Sequence, residues 1–238
     1  METINYKLTE LSRGVKMKRI FYVIGLLALL FTPLLSEALP VPIENYSFEA
    51  IVLGDGSSSP GITGWTTSLG PTSWGAGVYN PRVSNYGTGV TIPDGSNVAY
   101  INNNGAYISQ IISDYFITAD TLLTLSVDVG WRLDGLSGEP LYGIQLLSNG
   151  TILNSGFSSL VQGSFVTASI SYLVGADNSF IGQPLEIRFT KIGNSSVQFD
   201  NVRLENDHTS AAVPEPSTLL LLGAGLLGFG IFARKRKK

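Results

Sequence analysis

Residues 121–131 read Thr-Leu-Leu-Thr-Leu-Ser-Val-Asp-Val-Gly-Trp, and this stretch decides the fold. In an extended chain Leu123, Leu125, Val127, Val129 and Trp131 fall on one side. Thr124, Ser126, Asp128 and Gly130 fall on the other. Strict period-2 alternation predicts a strand with one buried and one wet face. The pattern recurs over 165–174, where Val166, Ala168, Ile170, Tyr172 and Val174 oppose Thr167, Ser169 and Ser171. Leu185, Ile187 and Phe189 alternate with Glu186, Arg188 and Thr190. Tyr142, Ile144 and Leu146 form another strand, which Ser148-Asn149-Gly150 turns into Thr151-Ile152-Leu153 as a hairpin. Further strands are predicted over 45–48, 98–101, 106–111 and 197–204. No helical period emerges between 39 and 212. The Gly/Ser/Pro-rich stretch 53–91 is expected to form loops at one end. Together these signals predict an all-β fold, a two-sheet jelly-roll sandwich over 39–204, followed by a polar linker over 205–212.

Composition narrows the chemistry. The 238 residues include no cysteine and one histidine, His208, which excludes disulfides, thiolate sites and any site needing two imidazoles. The net charge of -3 hides a strong segregation. Residues 1–38 carry +2, residues 213–238 carry +4, and the body between them sets five cations against fourteen acids, a net of -9. An acidic body is the reverse of a nucleic-acid-binding surface, so no nucleic-acid partner is expected.

Both ends read as membrane-directed. Lys16-Met17-Lys18-Arg19, the apolar run 20–35 and Ser36-Glu37-Ala38 form the three parts of a secretory signal over 1–38, with cleavage after Ala38. The alternative is an uncleaved anchor. Met17 ahead of Lys18-Arg19 reads as a start of its own, with 1–16 as an upstream extension. At the other end an uncharged run, 218–233, is expected to form a transmembrane helix of about 24 Å. That is slightly short for a hydrocarbon core of about 30 Å, and snorkelling of the adjoining cations meets the shortfall. Arg234, Lys235, Arg236, Lys237 and Lys238 act as a cytoplasmic membrane stop. The body is therefore expected outside the inner membrane.

Val213-Pro214-Glu215-Pro216-Ser217, the Leu/Gly-rich helix and the terminal cation cluster resemble the PEP-CTERM sorting signal of Gram-negative bacteria. The same tail is also known as an ice-binding protein C-terminal domain, a label that implies nothing about ice. The resemblance implies a transient membrane anchor, recognition by an exosortase-type membrane protease, and release to the envelope or exterior. Such proteins accompany exopolysaccharide and biofilm production.

A second resemblance concerns the body. Asn45-Tyr46-Ser47-Phe48-Glu49 with the later Gly64-Trp65, and the closing Phe199-Asp200-Asn201-Val202, resemble galactose-binding-like jelly rolls, a fold shared by many carbohydrate-binding modules. The resemblance implies that the first and last strands lie close and hold a structural calcium through Glu49 and Asp200, with backbone carbonyls completing the shell. The sequence adds one local sign. Apolar parity shifts from Val197 and Phe199 to Val202 and Leu204, as a bulge at Asp200-Asn201 would cause. The bulge alone also accounts for that shift.

A Ser-His-Asp triad would need His208, which falls in the expected linker, and no local motif favours a pair of hydrolytic carboxylates. The body is accordingly expected to be non-catalytic and to contact extracellular polysaccharide. Trp74, Tyr79, Asn80 and Arg82 in the Gly-rich stretch are the candidate glycan contacts, since aromatic faces and amides are what sugars bind. Packing roles for Trp65, under the first strand, and for Tyr79 are the competing reading, and Trp131 is expected in the core. A structural or adhesive matrix protein is the alternative function, with a carboxylate glycoside hydrolase behind it.

Overall fold

The computed structural model describes residues 38–68, 74–135, 138–208 and Gly223. The expected leader up to residue 37, the sorting motif 213–217, the helix 218–233 apart from Gly223, and the cation cluster 234–238 lie outside the described residues. The chain divides into two units, 1–36 and 37–238, and every described residue belongs to the second. Among the described residues no helix is long and apolar enough to cross a membrane.

In chain order the strands are β1 (Leu39–Pro40), β2 (Ser58–Pro60), β3 (Thr66–Ser68), β4 (Ala76–Tyr79), β5 (Val98–Ile101) and β6 (Tyr107–Phe116). They continue with β7 (Thr121–Trp131), β8 (Leu141–Ser148), β9 (Thr151–Ser159), β10 (Ser164–Val174), β11 (Pro184–Ile192) and β12 (Val197–His208). The larger sheet runs β10-β7-β12-β5-β4-β2, with β1 also on β12; the smaller runs β3-β6-β11-β8-β9. All named pairs are antiparallel. This is the expected two-sheet sandwich.

The decisive stretch behaves as read. Leu123, Leu125, Val127 and Val129 are fully buried and meet Leu185, Ile187 and Phe189 from the facing sheet in one core. Phe189 stacks on Phe199 at 4.9 Å between ring centres, and Trp65 packs on Phe189 at 5.6 Å and on Phe48 at 5.4 Å. These four rings join the two layers. The Asn149-Gly150 hairpin forms with both residues at positive φ, 47° and 77°, as a primed turn requires. Along β12 the register to β7 slips between Asp200 and Arg203, with Asn201 at φ 50°, so the bulge inferred from parity is present.

Three expectations change. Residues 45–48 are a turn rather than a strand. The Asn45 carbonyl accepts the Phe48 amide and its side chain bridges Thr63 and Ala50, holding Asn45 and Phe48 at φ 49° and 62°. The Gly-rich stretch contains β2, β3 and β4 rather than loops alone. Finally, β12 runs on through Glu205 to His208, which pairs in register with Thr121, so the expected linker begins as sheet.

Candidate functional site

The site lies on the face of the larger sheet that turns away from the core. Directly opposed residues of antiparallel strands project to the same side, so the register fixes its composition. One row crosses Phe165, Gly130, Gln198, Tyr100 and Gly77. The next crosses Thr167, Asp128 and Asp200. Gly130 and Gly77 have no side chain because others occupy that space. A Cβ on Gly130 would fall 2.5 Å from the Phe165 ring, and one on Gly77 would fall 2.8 Å from the Tyr100 hydroxyl.

A rim of loops covers these rows. Arg132 lies over the Tyr79 ring at 4.4 Å and pairs with Asp134 at 2.6 Å. Asn85 accepts the Tyr79 hydroxyl proton at 2.8 Å and donates to Asp134 at 2.9 Å. Tyr86 tilts against Phe165 at 4.7 Å. Backbone bonds from Gly87 to Gly163, Gly163 to Trp131 and Leu133 to Asn85 tie the three rim loops together.

Asp200 is the centre of this arrangement. It is fully buried, and its two oxygens accept the amides of Asp94 at 2.8 Å and Asn201 at 2.7 Å. Among the described residues no basic side chain pairs with it. Burial pushes its carboxyl up to about 8, the two amides oppose that shift, and the nearby Asp94 and Asp128 charges add to it. Neighbouring Asp128 is treated differently. Thr167, Asn201 and Arg203 all reach its oxygens, the last at 3.4 Å. Two carboxyls side by side therefore sit in unlike environments, one compensated and one poised to hold a proton near neutral pH.

Three polar atoms on this face are buried without a hydrogen-bond partner among the described residues: the Tyr86 and Tyr100 hydroxyls and Gln198 Oε1. Burial holds both phenols above the usual tyrosine range. Unsatisfied buried groups are costly and call for a cause. Here they cluster on one aromatic face beside a carboxyl that burial pushes toward its neutral form.

The sequence-derived candidates are placed differently. Trp74 is half exposed, whereas Tyr79 is covered by Arg132 and Asn80 is spent on the Leu53 carbonyl at 2.7 Å. Arg82 is exposed, and its backbone N–H is held by Asn85. Trp65 is core, donating to the Glu44 and Asn45 carbonyls. Glu49 and Asp200 both grip the loop 94–97, Glu49 through the Ser96 and Asn97 amides. Among the described residues no three acidic or histidine side chains gather as a metal cluster. The residues that sequence reasoning missed are Tyr86, Tyr100, Phe165 and Gln198. Their one signal was position: Phe165 and Gln198 fall at outward parity, where wet polar residues are expected.

Comparison with known proteins gives this face a context. A family model described as HpiC1-like, HpiC1 cyclase, matches residues 39–205, and the PEP-CTERM protein-sorting motif matches residues 212–237. No curated protein matches. The Stig cyclase Fisc from Fischerella sp. TAU, in complex with (3Z)-3-(1-methyl-2-pyrrolidinylidene)-3H-indole, is 28% identical with a TM-score of 0.63, over 73% of this chain and 100% of that one. A Fischerella sp. TAU cyclase in complex with 4-(1H-indol-3-yl)butan-2-one is 27% identical with a TM-score of 0.62, over 73% and 100%. An apo cyclase from Fischerella sp. is 25% identical with a TM-score of 0.63, over 73% and 98%. These findings overturn the expectation of a non-catalytic domain; the jelly-roll sandwich that the resemblance implied stands, while the family is a cyclase family rather than one of carbohydrate-binding modules. The sorting motif supports export and a C-terminal membrane-anchored signal processed by an exosortase. From residue 39 to residue 205, the chain belongs to the HpiC1-like cyclase family.

Proposed function

We propose that the exported domain is a cyclase that binds an aromatic, indole-type substrate on the outer face of the larger sheet, with Asp200 as the acid. The observation that carries this reading is the buried, uncompensated Asp200 carboxyl amid Tyr86, Tyr100, Phe165 and Gln198. A carboxylic acid kept neutral at pH 7 can give its proton to a substrate double bond. The carbocation so formed is attacked by a second π bond of the same molecule, which closes a ring. A proton lost from the ring system returns to the Asp200 carboxylate, so the reaction is an isomerisation with no net proton change. Aromatic faces stabilise the intermediate positive charge. The partnerless phenols and amide oxygen give a polar substrate group somewhere to bind. The indole ligands of the Fischerella cyclases support this substrate class. A polysaccharide partner does not follow from the family.

Calorimetric titration of the full chain with 4-(1H-indol-3-yl)butan-2-one tests the reading. Saturable binding is expected, weakened roughly tenfold in Phe165→Ala through loss of ring contact. Absence of binding, or equal binding by the variant, contradicts it.

A further inference from the structure

A cleft of about 420 Å³ opens elsewhere in the sandwich, between the segment 39–44 and the far half of β6. That volume is in the range of small-molecule sites. One wall belongs to the larger sheet, through β1, and the other to the smaller sheet, through β6. The opening has a local cause. Pro184 and Leu185, adjacent in β11, pair with Phe116 and Ile112, so Ser113, Asp114 and Tyr115 bulge out of the ladder. Gln110 braces the opposite wall: its amide donates to the Glu44 and Gly64 carbonyls, both at 2.9 Å, and its oxygen accepts the Glu44 amide.

The lining has a definite chemistry. Pro40, Val41 and Ile112 give it an apolar body, and Ile111 on its rim is 62% exposed. Glu44 and Asp114 supply two carboxylates, and no basic side chain is among the lining residues. Asn206 also lines the cleft; it is nine-tenths buried, and among the described residues its Oδ1 has no donor. That orphan acceptor calls for an N–H or O–H donor, and the two exposed acids at the mouth favour one that carries positive charge. The cleft is separate from the Asp200 face. Past the bulge, Asn206 shares the core side with Val202 and Leu204, and it lies six residues beyond Asp200, roughly 20 Å along an extended strand.

We propose that this cleft is a second binding site, which takes a protonated amine carried on a short apolar body, with the ammonium toward Asn206 Oδ1, Glu44 and Asp114. The proposal does not depend on the cyclase reading. Titration of the full chain with n-hexylammonium chloride tests it, alongside hexanol and hexanoate, which keep the body and change the head. Saturable hexylammonium binding is expected, with hexanol weaker and hexanoate weakest. Asn206→Leu is expected to weaken the amine about tenfold. Asp114→Asn, at an exposed position where folding is not at risk, is expected to weaken it about fivefold. Asp200→Asn is expected to leave it unchanged, which separates this site from the cyclase face. The proposal is overturned by absence of amine binding, by hexanoate binding as tightly, or by an unchanged affinity in Asp114→Asn.

Discussion

The folded protein is expected to lose stability steadily as pH rises from about 5 to 8, and Asp200→Asn is expected to abolish that loss. The Asp200 carboxyl titrates near 8 in the folded protein against 3.8 as its ordinary value. Between those values the folded state keeps a proton that the unfolded chain has released. Its stabilising contribution is therefore complete below about pH 4 and is lost as pH climbs through 8. The slope is about 1.4 kcal/mol per pH unit, and the whole change is of the order of 5 kcal/mol. That is a large share of the 5–15 kcal/mol typical of a domain's stability. The cause is physical: a fully buried carboxylate that no basic side chain among the described residues pairs with has lost water and gained two backbone amides. Asparagine cannot ionise. Its amide group replaces one acceptor oxygen and leaves a backbone N–H of Asp94 or Asn201 unpaired, which costs about 1–3 kcal/mol at every pH. Urea unfolding of both proteins at several pH values between 5 and 8 separates the two effects. The variant should be offset but flat where the wild type slopes. Parallel slopes would mean that Asp200 is ionised in the folded state.

The second large effect concerns the ring stack between the sheets. Phe199→Ala is expected to cost about 3–5 kcal/mol in urea unfolding at fixed pH. Phe199 is fully buried on β12 in the middle of the larger sheet, and Phe189, its stacking partner at 12° between planes, is fully buried on β11 in the smaller one. Truncation removes the ring from both layers and leaves a void that strands on a hydrogen-bonded ladder cannot close. A double-mutant cycle with Phe189→Ala should show coupling of about 0.5–1.5 kcal/mol, since the two rings stack directly on each other. Phe157→Ala is the control: its ring is about half exposed on the strand β9, and its truncation is expected to cost less than about 1 kcal/mol. A small loss at Phe199 would mean that the layers are not joined through this stack.

Most of the sandwich was legible because strands announce themselves locally. The alternation from Leu123 to Trp131 defined β7 to the residue, and the parity slip after Phe199 located the bulge. The turn at 45–48 was not legible, because its sequence has strand composition and its shape is imposed from a distance, by Trp65 donating to Glu44 and by Asn45 reaching Thr63. The short strands β2 and β4 were hidden by composition. Gly77 reads as a loop residue, yet it is glycine because the Ser59 carbonyl and the Tyr100 hydroxyl crowd the place of its Cβ.

The site was less legible than the fold. Acid catalysis by one carboxyl needs no motif; it needs burial, and burial comes from long-range pairing. The contact between Asp94 and Asp200 spans 106 positions and that between Asp128 and Asn201 spans 73. Asp200 drew attention through the jelly-roll resemblance and its place in a bulge, but a sequence shows a carboxylate and neither its burial nor its proton. Tyr100, Gln198 and Phe165 were overlooked because the side of the sheet turned away from the core was taken to be wet throughout, whereas the rim loops dry one end of it.

The most direct test of this account is the ionisation of Asp200 itself. Carbon-13 NMR titration of aspartate-labelled protein, with Asp200→Asn assigning the resonance, reads that carboxyl alone. A midpoint near 8 is predicted. A midpoint near 4 would show an ordinary carboxylate, and the acid role proposed for this face would be wrong.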